Sequence, residues 1–200
     1  YEYFIRHAAG LGKAPKAADP DHYDKMNAHA DVLVVGGGPS GLAATLAAAR
    51  AGARVICADD QPDLGGWLLN ERREIDGKPA RDWIASVEAE LNQMDDVTLL
   101  KRTSAFGHYD HNFVGMIEQR QSNVTDGAGT SRQRLWRVRA KQVVLATGAI
   151  ERPMIFADND RPGVMLAGAV RTYVNRYGVQ PGKRVCVFTN NDDAYRTALD

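Results

Sequence analysis

Three glycines, Gly36, Gly38 and Gly41, stand at the spacing G-x-G-x-x-G, directly after the apolar run at 32–35. None of them can react. What they supply is the absence of a side chain. The first permits a tight turn, the second lets backbone approach a pyrophosphate, and the third lets a helix lie close on a strand. The free N–H groups at the start of the following helix then face the phosphates, aided by the helix dipole. Asp59 lies 18 residues beyond Gly41, about where an acid meets a ribose 2′-OH, roughly 20 residues on. A carboxylate there disfavours a 2′-phosphate by like charge. The chemistry these residues offer is therefore the holding of a dinucleotide. No Ser/His/Asp or Cys/His set and no acid–base pair announces itself, so no catalytic residue is assigned. His108 and His111 flank Tyr109 and Asp110 without further ligands nearby in sequence, and no metal site is assigned.

The elements that must position these residues read as an α/β chain. A strand at 31–35, a helix at 39–51 stopped by Gly52, and a strand at 54–58 make one βαβ unit. The loop 61–67 carries Gly65 and Gly66, which either let backbone pass a bound ribose or phosphate or simply turn the chain. Trp83, Ile84, Val87 and Leu91 give residues 80–94 helical spacing. Residues 97–100 read as the next parallel strand, and 106–109, 113–118 and 135–140 as antiparallel strands. Residues 142–149 form a buried strand that should rejoin the parallel sheet beside the first. It ends in Thr147-Gly148, where glycine admits a close neighbour. A helix at 164–177, stopped by Gly178, leads to a strand at 184–188 that opens a second unit of the same kind. The turn after it, 189–194, has no glycine, and Asp192 and Asp193 sit where phosphates would lie. Carboxylates repel a pyrophosphate, although Asn and Asp can still cap the next helix. Residues 1–10 read as a helix with Tyr3, Phe4 and Ala8 on one face, and 11–30, with Pro15 and Pro20, as a connector over the surface.

Composition narrows the partners. In 200 residues, 25 basic and 25 acidic side chains cancel, so no net field favours nucleic acid or an anionic membrane. No apolar run approaches the ~18 residues of a membrane span, and no signal peptide opens the sequence. Cys57 and Cys186 each fall in an expected buried strand with no C-x-x-C, which fits core packing in a reducing cytoplasm. Asn123-Val124-Thr125 matches a glycosylation sequon and is read as chance. The chain opens on Tyr1 and closes on Asp200, each inside a helix-like stretch, and reads as a piece of a longer polypeptide.

The glycine turn with Pro39, Ser40, Leu42 and Ala43, the Leu64-Gly65-Gly66 loop and the Val144-Leu145-Ala146-Thr147-Gly148-Ala149 run together resemble the two-dinucleotide-binding-domain flavoproteins over 31–200. A closer resemblance is to the α subunit of heterotetrameric sarcosine oxidases. It rests on residues 3–15, 146–153 and 159–165, and above all on the degenerate turn within 187–195. This resemblance implies a Rossmann-like FAD/NAD(P)-binding fold with a parallel sheet, an antiparallel β insertion and the start of a second nested dinucleotide-binding-type unit. Its parts would be an N-terminal helix and connector at 1–30, a first dinucleotide-binding domain at 31–150 with the β insertion at about 103–140, and a linker helix with the start of the degenerate unit at 151–200.

The resemblance also implies site residues. Gly36, Gly38, Pro39, Ser40 and Gly41 would line the pyrophosphate. Asp59 would accept from the ribose, beside Asp60 and Gln61. Gly65, Gly66 and Trp67 would border the dinucleotide, Thr103, Ser104 and Ala105 would touch adenine, and Thr147 and Gly148 would close the site. The implied cofactor of this region is NAD. FAD, FMN and zinc would be held elsewhere in a complex with β, γ and δ subunits, which demethylates sarcosine oxidatively to glycine with hydrogen peroxide and passes one carbon to tetrahydrofolate. The rival readings are an FAD-dependent pyridine nucleotide oxidoreductase, the α-type subunit of an opine dehydrogenase or hydrogen cyanide synthase complex, and a docking scaffold with a vestigial nucleotide site.

Overall fold

The computed structural model describes residues 1–10, 12, 16–120 and 131–199. The elements in chain order are α1 (Glu2–Ala8), β1 (Tyr23–Val35), α2 (Pro39–Arg50), β2 (Val55–Ala58), the two-residue strands β3 (Glu74–Ile75) and β4 (Lys78–Pro79), α3 (Ala80–Leu91), β5 (Val97–Leu100), β6 (Thr103–Tyr109), β7 (Phe113–Gln119), β8 (Gln133–Leu145), α4 (Ala167–Arg171) and α5 (Tyr195–Leu199). Six strands form one sheet in the order β5-β2-β1-β8-β7-β6. The pairs β5·β2, β2·β1 and β1·β8 are parallel, and β8·β7 and β7·β6 antiparallel.

Apolar content on both faces drives the parallel half. Val34, Val55 and Cys57 are fully buried on the face covered by Ala44, Ala48 and Ala49 of α2. The small alanines let the helix lie close. Leu33, Ile56, Ala58 and Leu100 point the other way and share a core with Val114, Met116, Val138 and Ala140. β2 and β7 are three places apart in the sheet, so a core containing both requires the sheet to curl on itself. Beyond α2, a second layer joins Leu42, Leu64, Leu68, Ile84, Val87 and Leu91 and seats α3 beside it. Arg50 and Glu90 clasp the two helices at the surface at 2.7 Å and 2.9 Å.

β1 and β8 are each 13 residues long and bend together. The ladder pairs Ala30 with Ala140 and Val32 with Gln142, and omits Asp31 and Lys141 between them. In–out alternation changes at the same level in both strands, since Ala30 and Leu33 lie on one core face, as do Ala140 and the partly buried Val143. At the bend, Lys141 Nζ pairs with Asp31 at 2.7 Å, and the Arg54 N–H donates to the other Asp31 oxygen at 2.9 Å. These bonds hold the Asp31 carboxyl below the ordinary carboxylate range, Lys141 contributing most.

Several expectations change. Residues 23–30 are not a surface connector; they are the first half of β1, beginning eight residues before Asp31. Their composition is mostly polar, with Met26, Ala28 and Ala30 as a short alternating stripe, and the backbone ladder to β8 makes them a strand. The segments expected separately at 135–140 and 142–149 merge into one strand that ends at Leu145, itself exposed rather than buried, and the antiparallel insertion is continuous with the main sheet. The helix expected from 164 starts at Ala167 and widens to π-type bonding over Thr172–Arg176 before Gly178, at φ +66, ends it.

Residues 184–188 are not a strand, because none of the described strands pairs with them. Val185 is 59% and Phe188 68% exposed, and Cys186 is exposed rather than buried. The apolar face expected at Tyr3 and Phe4 exists, but no residue of α1 is buried. The sequon at 123–125, most of the loop at 122–133, and Leu11, Lys13, Ala14 and Pro15 lie outside the described residues.

Candidate dinucleotide site

The site is built where β1 ends. Gly36 N–H donates to the carbonyl of Ala58 on β2, and Ala146 N–H to the carbonyl of Val35, both at 2.8 Å. Gly36 has φ +106, and a Cβ there would collide with the Ala146 carbonyl oxygen. Gly41 is equally constrained, because its Cβ would drive into the carbonyl oxygen of Gly36. These two glycines fix how strand, turn and helix meet.

Gly38 is different. The nearest heavy atom to a Cβ built on it is Gly66 Cα, at 4.0 Å. The protein itself leaves room for a side chain, and glycine keeps that room open. Gly38 is also the N-cap of α2, with extended backbone and no side chain capping the helix, and Pro39 follows at the first helical position. The first N–H groups of α2 thus lack a capping side chain beside open space, an arrangement suited to phosphate oxygens. Ser40 is exposed there.

Gly37, which motif reasoning passed over, ties the turn to its neighbours. Its N–H donates to Asp59 Oδ2 at 2.5 Å, and its carbonyl accepts from Gly65 N–H at 2.8 Å. A Cβ on Gly37 would come within 2.5 Å of Leu64 and 3.1 Å of Asp59 Cβ. Asp59 Oδ1 accepts from Gln61 N–H at 2.8 Å. Two backbone donors thereby orient the carboxylate at the end of β2, leaving further lone pairs for a diol. Asp60 and Gln61 are exposed alongside and bonded to each other at 3.2 Å.

The other expected residues fall around this centre. Gly65 and Gly66 adopt φ +120 and +53, with Gly65 seated on Ile84 and Gly66 against Gly38. Trp67, 38% exposed, lies against Gly168 of α4, and the Arg171 guanidinium is 5.7 Å from its ring centre. Thr103 N–H donates to the Asp59 carbonyl at 2.7 Å, which brings β6 to the acid. Thr103 itself is buried, its hydroxyl bonded to the Lys101 carbonyl at 3.0 Å, whereas Ser104 and Ala105 are exposed. Thr147 and Gly148, the latter at φ +71, follow the contact between Ala146 and Gly36 and are exposed.

The second turn has different partners. Asn191 Oδ1 accepts from Asp193 N–H at 3.0 Å and so caps the short helical turn Asp192–Ala194. Asp193 pairs with Arg171 at 2.5 Å. Arg171 is 3% exposed and also faces Glu71 at 3.2 Å. This cluster joins residues about a hundred positions apart, and no local spacing announces it. Among the described residues no group of three or more His, Cys, Asp or Glu is placed to hold a metal, and no helix is long and apolar enough to cross a membrane. His108 Nε2 is 3.2 Å from Asn112 Oδ1.

Fold and turn define an oxidoreductase-type dinucleotide-binding fold. Residues 31–112 match the family described as FAD dependent oxidoreductase. Among solved structures, the L-proline dehydrogenase from P. horikoshii superposes with a TM-score of 0.62 at 28% identity, over 82% of this chain and 31% of that one. The chain is homologous along its full length to the α subunits of sarcosine oxidases. It is 53% identical to the sarcosine oxidase α subunit of Rhizobium meliloti (strain 1021), covering 100% of this chain and 20% of that subunit. An opine oxidase subunit of Agrobacterium tumefaciens (strain Ach5) is 34% identical over 76% of this chain and 30% of its own length. The chain thus spans about a fifth of the length of the sarcosine oxidase subunit it matches.

Proposed function

We infer that this chain is the nucleotide-holding region in the α subunit of a sarcosine oxidase, and that the nucleotide is NAD. The observation that carries the reading is the open space at Gly38, bounded by the uncapped start of α2 and by Gly66, with Asp59 oriented beside it. Among the described residues nothing packs close enough to require glycine at position 38, and a pyrophosphate supplies a reason. Asp59 favours a free ribose diol over a 2′-phosphate, hence NAD over NADP.

When bound, the dinucleotide would supply an ADP half to the turn. The chain's own part is to orient it: α2 N–H groups toward the phosphates, Asp59 toward the ribose, and Thr103 to Ala105 along the adenine side. The higher identity to the sarcosine oxidase subunit favours that enzyme over the opine oxidase type. On this reading the whole enzyme converts sarcosine to glycine with hydrogen peroxide formation and one-carbon transfer to tetrahydrofolate. It would act in the cytoplasm as an assembly with β, γ and δ subunits, with FAD, FMN and zinc held outside this region.

A second reading, FAD in the same cradle, is favoured by the description of the matched family, since FAD and NAD share the ADP half. The test is to denature the purified complex and determine which nucleotides it releases, by mass and spectrum, comparing wild type with Gly38→Val. Loss of NAD alone in the variant supports the reading. Loss of FAD alone overturns it in favour of the second, and unchanged release of both moves the site elsewhere.

A further inference from the structure

The bend shared by β1 and β8 opens onto a second cavity, with a volume of about 680 Å³, whose wall includes His29, Asp31, Arg54, His111, Arg139 and Lys141. It lies five residues back along β1 from Gly36, roughly 17 Å at ~3.3 Å per residue, so it is separate from the glycine turn.

The register explains how the charges gather. His29 stands opposite Arg139, and Phe113 opposite Arg139 on the other side. Two residues on, Asp31 stands beside Lys141. His29, Asp31, Arg139 and Lys141 all line the cavity, and Ala30 and Ala140, whose side chains are buried in the main core, lie between them along the strands. Arg54, where β2 begins, joins through its backbone bond to Asp31.

The charges do not balance. Three permanent cations share the wall with one carboxylate, and Asp31 is already engaged by Lys141 and by the Arg54 N–H. Among the described residues the ion-pairing partner of Arg54 is Asp96, at 3.8 Å. Among the described residues Arg139 has no carboxylate within ion-pairing distance. Its guanidinium lies 5.9 Å from the Phe113 ring centre, with its hydrogen-bonding fork uncommitted to any acid. The β6–β7 loop is fixed at the cavity rim. His111 and Asn112 have φ +59 and +52, and Asn112 Nδ2 donates to the Lys141 carbonyl at 3.0 Å. His111 is thereby held at the cavity with a ring that can donate a hydrogen bond.

Two guanidinium groups, an ammonium and two imidazoles around a part-apolar hollow match a doubly charged oxyanion. Arginine forks pair with phosphate or carboxylate oxygens two at a time, and a cleft lined by one sign of charge raises the local concentration of the opposite ion. We propose that this cavity is a binding site for a dianionic oxyanion, of the phosphate or dicarboxylate type, distinct from the dinucleotide cradle.

The experiment is calorimetric titration of the assembled full-length complex at low salt with inorganic phosphate and, separately, with succinate. Saturable binding of either anion is expected, and which one binds identifies the oxyanion. Arg139→Gln should weaken it by about tenfold or more, the usual scale for losing a charged hydrogen-bond partner. Lys78→Gln, an exposed site on the small β3–β4 hairpin, should leave it unchanged. Nucleotide content should be the same in all three proteins, which separates this site from the first. Heat that does not saturate, that chloride reproduces at equal concentration, or that survives in Arg139→Gln overturns the proposal.

Discussion

The turn at 36–41 links a paired strand to a helix, the turn at 189–194 follows a stretch that no described strand pairs with, and the two end in opposite ways. At the first, the glycines remove side chains, the helix start has no capping side chain, and two backbone N–H groups orient a nearby carboxylate. At the second, Asn191 caps its own helix and Asp193 is bound to a buried arginine. One turn leaves its polar groups facing outward, whereas the other satisfies them from within the chain. The difference lies in where hydrogen bonds and charges find partners.

Substitutions can break or sharpen that contrast. The largest effect belongs to Gly41→Val, because its Cβ meets backbone that cannot retreat. Destabilisation of roughly 3 kcal/mol or more is expected by urea unfolding of the complex, or no assembled protein at all. Gly38→Val should separate fold from ligand, with a near-normal unfolding midpoint but nucleotide content down by about tenfold or more. Asp59→Ala should act in the same direction, costing about 1.5–3 kcal/mol of nucleotide affinity for a charged acceptor, with some loss of turn stability because Gly37 and Gln61 lose their acceptor.

The second turn should respond in the reverse sense. Asp193→Asn should lower stability by about 1–2 kcal/mol, since buried Arg171 keeps Glu71 but loses one partner, while nucleotide content stays at the wild-type level. Content that falls with Asp193→Asn would mean the second turn still serves the ligand. The smallest effect is chemical. Cys57, just before the first acid, has its thiol pushed up chiefly by burial, and Cys186, before the second turn, is exposed. Iodoacetamide should therefore modify Cys186 in the folded chain well before Cys57, as read by peptide mass spectrometry.

Legibility in the sequence followed the range of the interactions. The first βαβ unit was readable because its strands are apolar and its stop signals local. Gly52 and Gly178, both at positive φ, end their helices as their sequence positions suggest. The roles of Gly36 and Gly41 also follow from spacing alone, because turn geometry is nearly the same wherever this turn forms. Residues 23–30 are a weak strand signal, since their alternating stripe of Met26, Ala28 and Ala30 is short and built mostly of small side chains, and the strand they pair with lies 110 positions away. The reverse holds at 184–188, where β-branched and apolar residues promise a strand that none of the described strands pairs with. Arg171, buried among Glu71, Asp193 and Trp67, is a product of tertiary assembly and leaves no mark in local pattern.

The paired bend at Asp31 and Lys141 has a consequence for how the chain finds its alignment. Two long parallel strands admit many sliding registers, and a slip of one residue moves every side chain to the wrong face. Here both strands reverse their alternation at one level, and opposite charges meet at that level. A slip would set a charge against Ala140 or Ala30, mismatch both faces at once, and carry Ala146 away from Gly36. The bend thus works as a registration key, so that the placement of the glycine turn is set five residues upstream, where the reversed alternation of both strands and the Asp31–Lys141 pair coincide.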